Sequence, residues 1–128
     1  MKVLIVEDDF YISRMFGRAF KDSGYELELA GDGAIAWHAL SSGDIPAIVL
    51  LDERMPNMDG EALLKKMKAD DKLKDLPVIV LTNQSLDKGE KNYLSLNADM
   101  YLVKMDHPPQ EVVKITGELL ASRQAKKK

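Results

Sequence analysis

Four short apolar runs in this chain each hand a reactive side chain to whatever follows. Glu7, Asp8 and Asp9 come after VLIV, Asp52 after IVLL, Thr82 after VIVL, and Lys104 after YLV. Three acids beside a fourth repel one another, so something positive must hold them together. Oxygen ligands from two carboxylates, a backbone carbonyl and waters suit Mg²⁺ rather than a softer metal. By screening charge on both partners, such an ion would let Asp52 act as a nucleophile toward a phosphoryl group. The Lys104 ammonium can pair with Asp52 or with a phosphoryl oxygen, and the Thr82 hydroxyl can donate to another. Taken alone, Asp52 equally suits a strand-ending turn.

That chemistry needs the four runs side by side. Strand-like and helix-like segments alternate five times, which predicts a βα-repeated α/β fold. Strands are expected at Val3 to Val6, Glu26 to Ala30, Ile48 to Leu51, Val78 to Leu81 and Met100 to Val103. The first, third and fourth are apolar throughout, as in a parallel sheet covered on both faces. The second alternates Glu and Leu and belongs at an edge, which gives the order 2-1-3-4-5 with a switch point between strands one and three. Ligands bind outside the carboxyl ends of such strands, and these ends deliver all the residues named above.

Helices fill the intervals. The first carries Ile12, Met15, Phe16, Ala19 and Phe20 and stops at Gly24; the second runs from about Ala34 to Leu40; the third opens at Asp59, an N-cap. The fourth, around Lys88 to Leu96, holds Gly89 and Asn92 and reads as a pliable element of poor propensity. The fifth opens near Pro109, although Pro108 stands where a side-chain cap is expected. One domain over 1–122 is expected, followed by a basic tail, 123–128, whose last residues, Ala125 to Lys128, read as a solvated and disordered charge run.

Composition excludes several classes. A net charge of −3 with mixed signs argues against nucleic acid as a direct partner. Without Cys there is neither a disulfide scaffold nor thiol chemistry, and His38 and His107 alone make zinc improbable. Nothing approaches the roughly 20 apolar residues of a membrane helix, and the first residues lack the pattern of a signal peptide. A soluble cytoplasmic protein is expected. An aspartate-nucleophile phosphohydrolase typically has a second Asp two residues after the nucleophile, where this chain has Arg54. An FMN carrier would need a phosphate loop where Glu7, Asp8 and Asp9 stand.

Together VEDD at 6–9, LLDERMPNMDG at 50–60, VLT at 80–82 and YLVK at 101–104 resemble the receiver domain of two-component response regulators, especially stand-alone chemotaxis-type members. The resemblance runs from Lys2 to about Leu120 and implies the flavodoxin-like (βα)5 fold. It implies that Asp8 and Asp52 bind Mg²⁺ directly, Glu7 through water, and Arg54 through its backbone carbonyl. Asp52 is then the phosphorylation site, Lys104 the phosphate-binding lysine, and Thr82 with Tyr101 the switch pair. It further implies a sensor histidine kinase or histidine phosphotransfer protein as donor and an unknown output protein that reads the face of helix four, strand five and helix five. Only self-phosphorylation and autodephosphorylation are implied, so the chain is not a turnover enzyme. The alternative is a receiver-like interaction module that works without phosphorylation.

Four positions depart from the family pattern. Met105 replaces the proline after the lysine, which usually follows a cis bond; Asn83 replaces a small residue; and Arg54 and Gln84 flank the phosphoryl position, where they are expected to tune its lifetime. The remaining methionines, Trp37 and His38 read as packing or solvated residues.

Overall fold

The computed structural model describes residues 1–126 except 54, 56 and 84–86, and leaves aside the side chains of 87–89, 125 and 126. Five parallel strands form one sheet in the order β2-β1-β3-β4-β5. They are β1 (Lys2–Val6), β2 (Glu26–Ala30), β3 (Ile48–Asp52), β4 (Val78–Thr82) and β5 (Met100–Val103), alternating with α1 (Phe10–Asp22), α2 (Gly33–Ser41), α3 (Gly60–Lys68), α4 (Asp87–Ser95) and α5 (Pro109–Lys126). A short 3₁₀ turn, Lys104–Asp106, joins β5 to α5.

The continuous apolar runs bury both strand faces. Val3, Ile5, Ile48, Leu50, Ile79 and Leu81 meet Phe16 and Phe20 of α1 and Val112 of α5. Their alternates Leu4, Val6, Val49, Leu51, Val78 and Val80 meet Ala36, Leu40, Leu63, Leu64, Met67 and Tyr93 from α2, α3 and α4. Successive strand side chains point to opposite faces, so an unbroken apolar run fits a strand sandwiched between helix layers. Truncating one such residue, Leu64 for example, costs about 2–5 kcal/mol through lost transfer energy and the cavity left behind.

Edges and helix ends follow from local chemistry. The alternating β2 is indeed an edge, pairing among the described residues with β1 alone. Asp9 caps α1 by accepting from the Tyr11 and Ile12 amides, and Asp59 caps α3 by accepting from Ala62 N. At Gly24, φ is +94°, which turns the chain out of α1 into the second strand. Despite Gly89 and Asn92, residues 87–95 are helical, held through Tyr93, which is 2% exposed. Pro108 caps α5 with its backbone, its carbonyl accepting from Glu111 N at 2.9 Å.

At this end of the chain the last helix runs past the position where the domain was expected to end. The boundary at 122 falls inside α5, which continues to Lys126, so Arg123 and the first residues of the expected tail are helical. Arg123 is also tied down, with Nη1 2.7 Å from Asp99 Oδ1. The side chains of 125–126 and residues 127–128 lie outside the described part. Among the described residues no helix is long and apolar enough to cross a membrane.

Candidate functional site

The sheet register sets the geometry. Val6 lies beside Leu51, Asp52 beside Leu81, and Thr82 beside Val103, so adjacent strands end at nearly one level. Residues just beyond those ends therefore face one shared crevice. Carboxylate oxygens of Glu7, Asp8 and Asp52 lie within 4.8 Å of one another, Glu7 and Asp52 buried and Asp8 exposed at the mouth. Lys104 reaches back from the turn after β5 with Nζ 2.5 Å from Glu7 Oε2 and 3.0 Å from Asp52 Oδ1.

One ammonium thus serves two buried carboxylates with a third beside them. Burial pushes the Asp52 carboxyl up to about 7, with repulsion from Glu7 adding to it and Lys104 opposing. Burial pulls the Lys104 ammonium down, but its hydrogen bonds and attraction to Glu7 and Asp52 outweigh this and leave it raised. Among the described residues the cluster has more negative charge than its lysine neutralises. Its donors are all hard carboxylate oxygens in a partly open crevice, a set that fits Mg²⁺ or Mn²⁺ and suits neither zinc nor copper. Asp9, adjacent in sequence, is occupied as the α1 cap and stands apart from this group.

Backbone contacts fix the loop that presents Asp52. Gly60 N donates to Glu53 O at 3.2 Å, and a Cβ on Gly60 would sit 2.5 Å from the Asp52 carbonyl oxygen. Only glycine permits that approach. Asn57, in the left-handed region at φ +67°, donates from Nδ2 to Asp32 Oδ2 at 2.7 Å, while Asp32 Oδ1 accepts from Ile35 N. Those two bonds lower the Asp32 carboxyl below its usual range. They also tie the β3–α3 loop to α2.

Thr82 and Tyr101 are brought together by a residue that the sequence reading passed over. Glu53 Oε2 accepts from Thr82 Oγ1 at 2.6 Å and from Tyr101 Oη at 2.9 Å. Its backbone carbonyl accepts from Tyr93 Oη at 3.3 Å. Burial raises the Tyr101 phenol, Thr82 lowers it, and the Glu53 carboxylate raises it further. The Tyr101 ring rests near Tyr93, centroids 5.8 Å apart. The clue to Glu53 lay in the register: with Asp52 beside Leu81, the next residue along is level with Thr82.

Arg54 and Gln84 lie outside the described residues, as does Pro56. Asn83 is exposed. Met105 is 88% exposed, and among the described residues no peptide bond is cis, so Lys104 reaches the acids through a trans bond to Met105. Trp37 is half-buried beneath Lys66, whose Nζ lies 5.1 Å from the ring centre, and His38 is exposed on α2.

A doubly wound five-stranded sheet with an acid cluster and a buried lysine at its switch point defines a class of signalling module. Residues 3–116 match the response regulator receiver domain family, and the chain belongs to it. It is 30% identical over 105 residues to chemotaxis protein CheY1 of Helicobacter pylori strain J99, covering 81% of this chain and 85% of that protein. The solved structure of Vibrio cholerae CheY4 is similar at a TM-score of 0.83 and 27% identity, over 91% of this chain and 96% of that one. The Mn²⁺-bound form of the response regulator Rcp1 is similar at 0.75 and 31% identity, over 80% of each chain. The protein is therefore a receiver domain of two-component signalling.

Proposed function

We propose that this chain is a phosphorylation-switched signalling domain whose phosphoacceptor is Asp52. The observation that carries this reading is the convergence of Glu7, Asp8 and Asp52 within 4.8 Å, with Lys104 Nζ 3.0 Å from Asp52 Oδ1. Asp8 and Asp52 would hold Mg²⁺ directly and Glu7 through water, with the carbonyl of Arg54, a residue outside the described ones, as the further ligand the family resemblance implies; the ion would supply charge neutralisation for the incoming phosphoryl group. The Mn²⁺-bound form of the similar Rcp1 supports such a site.

An Asp52 carboxylate oxygen attacks the phosphorus of a phosphohistidine on a sensor kinase or phosphotransfer protein. The new O–P bond forms as the P–N bond breaks, and the imidazole leaves with the electron pair. Lys104 then pairs with a phosphoryl oxygen and Thr82 donates a hydrogen bond to another. Water attacking the acyl phosphate regenerates Asp52 and frees inorganic phosphate, so the domain resets itself without turning over a substrate. The Thr82 shift draws Tyr101 inward and alters the α4–β5–α5 face that an output protein reads. This activity belongs in the cytoplasm, with the kinase's phosphorylated domain.

Incubation with Mg²⁺ and acetyl phosphate, followed by intact mass, tests the reading. Wild type is expected to gain the mass of one phosphoryl group and Asp52→Asn none. An unmodified wild type would instead favour an interaction module that works without phosphorylation.

A further inference from the structure

We propose that Glu53 is a resting-state latch on the switch pair, a positioning residue that must release Thr82 before a phosphoryl group on Asp52 can be held. This inference rests on the proposed phosphorylation of Asp52 and adds the element that opposes it.

The latch is built from one carboxylate oxygen. Glu53 Oε2 accepts from Thr82 of β4 at 2.6 Å and from Tyr101 of β5 at 2.9 Å, across 29 and 48 residues of sequence. A carboxylate cannot donate, so both hydroxyl protons point at Glu53. A hydroxyl has one proton to give. Thr82 can offer its proton to Glu53 or to a phosphoryl oxygen on Asp52, never to both.

The base of the latch is fixed. The Glu53 carbonyl accepts from Gly60 N at 3.2 Å and from Tyr93 Oη at 3.3 Å, binding its backbone to α3 and α4. Its side chain starts one residue from Asp52, so phosphorylation puts roughly −1.5 to −2 charges next to the Glu53 carboxylate in place of the single charge of the Asp52 carboxylate. The added phosphoryl group therefore repels the latch and competes for its donor at once. Among the described residues, loss of the Thr82 bond leaves the Glu53 carboxylate held by Tyr101, which couples the hydroxyl to the ring through a shared acceptor. Hydrogen bonds to a charged acceptor are about twice as strong as neutral ones, so the resting arrangement is favoured until the phosphoryl group arrives.

The test compares wild type, Glu53→Gln and Glu53→Ala for binding of beryllofluoride with Mg²⁺, and for the amide resonances of Thr82 and Tyr101 in the metal-free protein. The alanine variant removes the acceptor and is expected to bind beryllofluoride roughly 10-fold more tightly, the factor that a lost charge-assisted hydrogen bond of about 1.5 kcal/mol converts to. Its metal-free Thr82 and Tyr101 resonances are expected to lie part-way toward their positions in beryllofluoride-bound wild type. The glutamine variant keeps an acceptor oxygen and is expected to fall between the other two. Equal gains for Gln and Ala would mean charge repulsion alone and overturn the latch, as would alanine affinities and resonances matching wild type. Failure of wild type to bind beryllofluoride, or to take phosphate from acetyl phosphate, would instead count against the phosphoacceptor reading.

Discussion

The two ends of the sheet treat charge in opposite ways. At the amino end, Asp99 uses both oxygens: Oδ2 accepts from Val78 N at 2.8 Å and Oδ1 pairs with Arg123 at 2.7 Å. Arg123 spends its other nitrogen on the Asp75 carbonyl. Asp99 and Arg123 pair directly, with Lys68 and Asp75 near enough to balance them, and β4 is pinned to the end of α5. At the carboxyl end, Glu7, Asp8 and Asp52 gather around Lys104, the one cation paired with them among the described residues. The first cluster is closed and structural. The second, among the described residues, sets three carboxylates against one ammonium, and the function proposed above would put a cation and a phosphoryl group there.

Removing the base at each end should separate the two most sharply. Lys104→Met leaves buried carboxylates without a partner and is expected to cost about 3 kcal/mol at pH 7.5, measured by urea unfolding, with part of the loss recovered in Mg²⁺. A metal-independent loss would show that Lys104 packs rather than neutralises.

Removing an acid should give opposite signs at the two ends. The folded Asp52 carboxyl stands near 7 against an ordinary value of 3.8. The folded state therefore holds the extra proton between those values, and the cluster's stability falls as pH rises through that window. Asp52→Asn is expected to raise stability by about 2 kcal/mol at pH 7.5, less than the full shift because Mg²⁺-free water reaches the crevice, and by nothing at pH 3.5. Constant stabilisation across that range would contradict the origin assigned to it.

Asp99→Asn is expected to destabilise by about 1 kcal/mol, the size of a half-exposed pair plus one backbone bond, with no dependence on Mg²⁺. A stabilising effect there would erase the contrast. The smallest change is expected from Lys2→Ala: its partners Glu28 at 3.0 Å and Asp44 at 3.4 Å are solvent-facing, and the loss should be about 0.5 kcal/mol and vanish in high salt.

What the sequence made legible divides along physical lines. Buried parallel strands announce themselves because both faces must be apolar, so β1, β3 and β4 and the residues at their ends could be placed from composition alone. The edge position of β2 followed from Glu26, Leu27, Glu28 and Leu29 alternating. Asp59 read as a cap because an apolar helical pattern follows it, whereas Asp9 was masked by its acidic neighbours. Where α5 ends was not legible, because basic composition looks alike in a tail and in an exposed last turn; Arg123 is helical and pairs with Asp99, a partner distant in sequence. Glu53 was hidden for the same reason, since its role depends on hydroxyls delivered by two other strands.

A carbon-detected NMR titration of the Asp52 side-chain carboxyl, with and without Mg²⁺, tests most directly whether the carboxyl-end cluster carries unneutralised charge. The expected result is a midpoint near 7 in metal-free protein that moves strongly downward when Mg²⁺ is added. A midpoint near 3.8, unmoved by Mg²⁺, would contradict the account.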